Sequence, residues 1–187
     1  MSRRHFPLPA AILAGLPLVL YSPLLFGGKV LYWGVYLLQF YPWRQLAVEQ
    51  VRAGHWPLWN PYLFTGAPFL ANPQAAVLYP LHWPLIWMEP SRALIWSALL
   101  HVWLAAGFMY TFARRSARLS APASWLAGAL FGLGGFTLAK IENINQLNAL
   151  AWLPALLWLL DETARAGDWR ARLRWSIALS AARAWAR

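Results

Sequence analysis

The chain of 187 residues has no cysteine, which excludes disulfides and thiolate metal sites and removes any redox clue to compartment. Charge is also scarce. Only 12% of residues are Asp, Glu, Lys or Arg, against about 25% in soluble domains. Acids are the rarer part of that, six against sixteen Lys and Arg, for a net charge of +10. There is no HExxH pair, no Gly-rich phosphate loop and no serine elbow. His55 and His82, beside Trp56 and Trp83, have no metal-ligand spacing, and no internal repeat is visible. The basic excess does not point to nucleic acid, because the cations form short blocks between apolar runs rather than a basic face.

What is present is hydrophobic, at 60% of residues. A first run spans residues 8–26 behind Arg3 and Arg4. It starts like a signal peptide, but Leu24, Leu25 and Phe26 stand where small residues would mark cleavage. A retained helix kinked at Pro17 and Pro23 is expected. A second span covers 93–112, closed by Arg114, Arg115 and Arg118. The third, 121–138, opens with Pro122 and carries Gly128 and Gly132 at GxxxG spacing, which allows close helix approach. A fourth, 141–160, bears Glu142, Asn143, Asn145, Gln146 and Asn148 in its first turns. Such groups are costly against lipid and are expected to face a wet cavity or protein. A fifth apolar stretch begins at Trp175 and ends near Arg183.

The positive-inside rule places Arg3 and Arg4, then Arg114 to Arg118, then Arg165 to Arg174 on the cytoplasmic side. Three regions follow: an N-terminal tail and first span (1–26), an extracytoplasmic loop (27–92), and further spans ending in a started fifth (93–187). Seven of the fourteen prolines fall between Pro57 and Pro90, interleaved with Trp59, Trp83 and Trp87. Proline removes donors and fixes φ, so this stretch cannot be a lipid-crossing helix. It is too apolar for a solvated linker. An ordered cap folded onto the membrane domain is expected, with a short amphipathic helix starting at Pro42 and ending at Gly54. Arg44, Glu49 and Arg52 would lie on that helix's flank.

The order of elements resembles the YfhO-like bacterial membrane protein family, within the GT-C class of multi-span glycosyltransferases. The residues that carry the resemblance are Gln39-Phe40-Tyr41-Pro42-Trp43-Arg44 and Gly54-His55-Trp56-Pro57-Leu58-Trp59-Asn60-Pro61-Tyr62. Gly66-Ala67-Pro68, Ala71-Asn72-Pro73-Gln74, Tyr79-Pro80 and Ala151-Trp152-Leu153-Pro154 continue it. The resemblance implies a bacterial plasma-membrane protein whose large first outer loop covers a helical domain. It also implies a polyprenyl-phosphate-linked sugar donor and a cell-envelope acceptor. Proteins of this class have many more spans, so the chain is expected to be an N-terminal portion. It departs from the class in one respect: no Asp or Glu occurs from Gly27 to Val48, where an acidic residue is typical.

The carboxylates placed outside are Glu49, Glu89 and Glu142. Glu49 reads as a helix charge near Gln45 and Arg52, with a catalytic role as its rival. Glu89 reads as a boundary residue. Glu142 would be base or metal ligand on a helical face with Asn145 and Gln146, or simply a helix-start charge. No cofactor is evident, and a divalent metal on a lone carboxylate is open but unsupported. Arg44 and Lys140 would hold a phosphate or anchor the interface. Gln39, Asn143, Asn145 and Gln146 are candidates to read sugar hydroxyls. Asn60, Asn72 and Gln74 are further candidates, although Asn before Pro more often caps a turn. Trp59 would stack on a sugar or join an interfacial belt. His101, mid-span, is expected to hydrogen-bond a neighbouring helix as neutral imidazole.

The fold expected is all-α: a polytopic helical membrane protein with a large Pro/Trp-rich outer loop. The function expected is part of a membrane glycosyltransferase. A transporter or flippase-type protein for lipid-linked precursors, or a non-catalytic fragment, are the alternatives.

Overall fold

The structure is a computed structural model that describes residues 8–32 and 34–185; Arg3 and Arg4 lie outside the described residues. It is mostly helical. The first apolar run is not one kinked helix but two, α1 (Leu8–Leu20) and α2 (Ser22–Leu25), parted at Tyr21. The cause is Pro23, which has no N–H for the Val19 carbonyl; the Ser22 hydroxyl donates to that carbonyl instead, at 2.7 Å.

Helical backbone also begins before Pro42 rather than at it. A π-helical turn, Tyr36–Phe40, runs into α3 (Tyr41–Arg52). The Tyr41 N–H reaches back five residues to the Tyr36 carbonyl, and this widened turn accommodates a proline that cannot donate. Gly54, at φ +77, follows the end of α3 in the left-handed region that glycine favours. Arg44 is not on a solvated flank. It is buried on the inner face of α3 with Leu46, Ala47 and Val48.

Next come two antiparallel two-residue strands, β1 (Trp59–Asn60) and β2 (Ala67–Pro68), and 3-10 turns at Pro73–Ala75 and Pro80–Trp87. Phe69, beside β2, packs with Leu46 and Ala47 in a small core of its own.

The long helices follow. The Glu89 carboxylate caps α4 (Pro90–Arg115) by accepting from the Ser91 and Arg92 backbone N–H groups at 3.0 Å. At 26 residues α4 is about 39 Å long. It stands at the centre, with α1, α5 (Ala121–Leu133) and α7 (Ile144–Arg165) against it. The α4–α5 approach is close because Gly128 and Gly132 face Ala106. A Cβ on Gly132 would lie 2.6 Å from the Ala106 Cβ. Gly134 turns the backbone to ψ 155° and starts the short α6 (Gly135–Ala139). A 3-10 turn, Lys140–Glu142, precedes α7, which therefore starts three residues later than expected. The last helix, α8 (Trp169–Trp185), packs on α7 and starts before Trp175.

Tyr36, Phe40, Leu94, Leu99, Val102, Ile144 and Leu147 meet in the main core, so α3's approach, α4 and α7 share one apolar centre. The charged ends of α4 and α7 also lie together. Arg165 pairs with Asp161 at 3.0 Å and donates to the Ser116 carbonyl at 3.2 Å, while Arg115 approaches Glu162 at 3.8 Å. The segment before α4 sits at the opposite end. Two described stretches, Pro90–Arg115 and Ala121–Glu142, are long and apolar enough to cross a membrane.

Candidate functional site

Where the turn at residues 70–79 meets the start of α7, the fold leaves a cavity of about 500 Å³. This is within the range of about 300–1,000 Å³ usual for small-ligand sites. One wall is made of amides: Asn72, Gln74, Asn143, Asn145, Gln146 and Asn148. Leu70, Val77, Leu78 and Ala149 supply the apolar side. The placement follows from local chemistry. The Asn72 side-chain Oδ1 caps the 3-10 turn by accepting from the Gln74 N–H at 3.0 Å. The Asn145 amide donates to the Gln74 carbonyl at 2.8 Å, fastening that turn to α7. Asn143 and Gln146 make no side-chain hydrogen bond among the described residues and are free to meet a ligand.

Beneath the cavity lies a buried polar network that ties three segments together. Tyr79 belongs to the turn, Ser97 and His101 to α4, and Asn148 and Trp152 to α7. The Trp152 indole N–H donates to the Tyr79 oxygen at 2.9 Å, and the Tyr79 hydroxyl lies 2.7 Å from His101 Nε2. His101 Nδ1 sits 2.7 Å from the Ser97 carbonyl, which can only accept. Nδ1 therefore carries the proton, Nε2 accepts, and the tyrosine hydroxyl donates. Every bond in the chain then runs in one sense. Tyr79→Phe would leave His101 Nε2 and the Trp152 N–H buried without their partner, and is expected to cost about 1–3 kcal/mol. Chemical unfolding in detergent, compared with wild type, measures it.

His82 forms the second branch. Arg44 Nη2 donates to His82 Nδ1 at 2.9 Å, so His82 Nε2 holds the proton and donates to the Ser97 hydroxyl at 3.0 Å. The Asn148 amide nitrogen faces the same Nε2 at 3.4 Å, donor against donor. Turning that amide over removes the conflict, yet either orientation leaves one end of a buried amide with no partner among the described residues. Burial, then the neighbouring Arg44 guanidinium and His101, hold His82 well below the usual histidine value, so it is neutral at pH 7. Burial pushes the Arg44 guanidinium down to about 10, which leaves it cationic at pH 7. Its one hydrogen-bond partner among the described residues is the neutral His82 ring. No carboxylate pairs with it there.

Asn72, Gln74, Asn143, Asn145 and Gln146, all read from the sequence as substrate contacts, line the cavity. Gln39 stands behind them, donating from its amide to Gln74 Oε1 at 2.7 Å. The others lie elsewhere. Asn60 is buried in the hairpin, its Oδ1 accepting from the Tyr62 N–H at 2.9 Å. Trp59 packs on Gly66, where a Cβ would come within 2.5 Å of the indole. Lys140 places its ammonium 5.2 Å from the centre of the Phe136 ring. Glu49 is exposed and accepts from Gln45 at 2.8 Å. Glu142 is exposed in the 3-10 turn, off the face that carries Asn145 and Gln146, because Asn143 at ψ 86° breaks the helix between them. No carboxylate lines the cavity among the described residues.

The network itself was largely missed. His82 has no ligand spacing, Ser97 gives no signal, and His101 bonds the turn and its own helix rather than a neighbouring one. One signal was available: Tyr79 and Trp152 both belong to the motifs quoted for the family resemblance, and they touch. Among the described residues no group of three His, Cys, Asp or Glu side chains is arranged to hold a metal. Comparison of the chain with family models, curated proteins and solved structures finds no match.

Proposed function

We propose that the chain is the ligand-binding part of a GT-C-like bacterial membrane glycosyltransferase. In this reading it crosses the plasma membrane several times, with residues 27–92 as an outer cap. A polyprenyl-phosphate-linked sugar, destined for a cell-envelope acceptor, lies with its sugar in the cavity. The observation that carries it is the cavity itself, a mostly apolar hollow with one wall of amides, between a Pro-rich cap and the start of an apolar helix. Amides offer both donors and acceptors to hydroxyls without a charge to desolvate. The apolar side suits a lipid's first carbons. The segregation of Arg115 and Arg165 to the far end supports the orientation.

The test is binding of a tritiated polyprenyl-phosphate hexose to the chain in nanodiscs. Joint Asn143→Ala and Gln146→Ala substitution is expected to weaken binding about tenfold or more, from two lost hydrogen bonds, with the unfolding midpoint unchanged. Unchanged binding would sink the reading. The lack of a carboxylate in the described lining favours one rival, a flippase-type protein that binds the same lipid without transferring its sugar. Movement of label across the bilayer, without transfer to an acceptor, would select that rival.

A further inference from the structure

The Arg44 guanidinium is a buried cation with more donors than acceptors. It is 8% exposed, and His82 Nδ1 is its one protein partner among the described residues. Beside it is a second void of about 10 Å³, room for about one water. Gln74, Ala76 and Asn145 line both this void and the large cavity, so the two are neighbours across a thin wall. The Gln74 side chain is held by Gln39 at 2.7 Å, and its carbonyl by Asn145 at 2.8 Å. Desolvating a guanidinium is costly, and a fold normally offsets that with a carboxylate. Here none is present among the described residues, and the ring that meets Arg44 is held neutral chiefly by its own burial. A neutral partner leaves the positive charge uncompensated and available. A guanidinium's planar fork suits the oxygens of a phosphate.

We propose that Arg44 is the closed end of an oxyanion site opening off the cavity, which takes a phosphate group once the Gln74 side chain turns aside. Asn145 would supply a second donor, and His82 keeps the guanidinium aimed. This deepens the reading of the cavity as a ligand site and rests on it. The phosphate is supplied either by a lipid headgroup or as a free ion.

The test uses the full chain in zwitterionic nanodiscs at constant ionic strength, reading the thermal unfolding midpoint. One arm adds inorganic phosphate; the other places a polyprenyl monophosphate in the disc. A rise in either arm is expected for wild type, and a rise with the lipid alone assigns the headgroup as the source. Gln74→Ala removes the obstructing amide and is expected to lower the half-saturating concentration about fivefold, because less of the protein is held closed. Arg44→Met is expected to abolish the response. No rise in either arm for both wild type and Gln74→Ala overturns the proposal, as does a response retained in Arg44→Met. A chain that binds lipid-linked hexose through Asn143 and Gln146 yet ignores phosphate loses the anion site and keeps the cavity's role.

Discussion

Replacing Gly132 by Leu is expected to destabilise the packing of α5 on α4 severely. A Cβ at that position falls 2.6 Å from the Ala106 Cβ and 3.1 Å from its Cα and N. Those are backbone-anchored atoms of α4, the central helix, and they cannot yield by turning a side chain. α5 must therefore move away, opening the contact that Gly128 also makes to the Ala106 carbonyl. Overpacking of this kind costs about 1–3 kcal/mol where neighbours can relax, and the rigid neighbour places this site at about 3 kcal/mol or above. Gly135→Ala is the control. Nothing lies within 4 Å of its added Cβ, and it sits in a helix where alanine is favoured. Unfolding titrations in mixed detergent should show a large loss for the first and none for the second. Equal behaviour would contradict the close approach of α4 and α5.

Arg44→Met is expected to do the opposite, raising stability while removing phosphate binding. The wild-type guanidinium is buried against a neutral ring, so its desolvation is poorly offset. Methionine fills a similar length with apolar atoms and abolishes that cost. Against this, His82 Nδ1 loses its donor, a penalty of about 1–3 kcal/mol. The balance favours the variant by about 1–3 kcal/mol, on the scale seen when buried ionic groups give way to apolar ones. A pH readout separates this from simple packing. His82 has a folded pKa below its unfolded value of 6.5, so its contribution to stability is complete above pH 6.5 and is lost as the pH falls towards the folded value. Burial still holds His82 down in the variant, but the Arg44 charge no longer does. The acid-induced loss should accordingly be shallower in Arg44→Met. A variant less stable than wild type at pH 7 would show that Arg44 is a structural strut and not part of an anion site.

How far the sequence could be read varies with how local the cause is. The long helices α4, α5 and α7 followed from apolar runs and their basic ends, since both are local patterns. The turn caps at Asn60 and Asn72 followed in the same way, from a side chain that reaches two residues along. The amide wall of the cavity was half visible. Asn143, Asn145 and Gln146 stood out as polar residues on an apolar helix, but their partner surface around Gln74 lies 71 positions from Asn145. Arg44 was misplaced because its charge was grouped with Glu49 and Arg52, whereas i, i+3 and i+4 spacing within α3 puts it on one face with Ala47 and Val48, and that face is buried. The histidines were unreadable. Their roles depend on Tyr79, Ser97 and Trp152, and no spacing in one dimension announces such a meeting.

That meeting has a temporal side. Tyr79 emerges from the ribosome well before the residues that hold it, with His101 22 positions later and Trp152 73 positions later. The aromatic-rich segment must therefore wait, unlatched, until α7 has been synthesised and docked. Its locking down marks the moment when the helices around it have found their places.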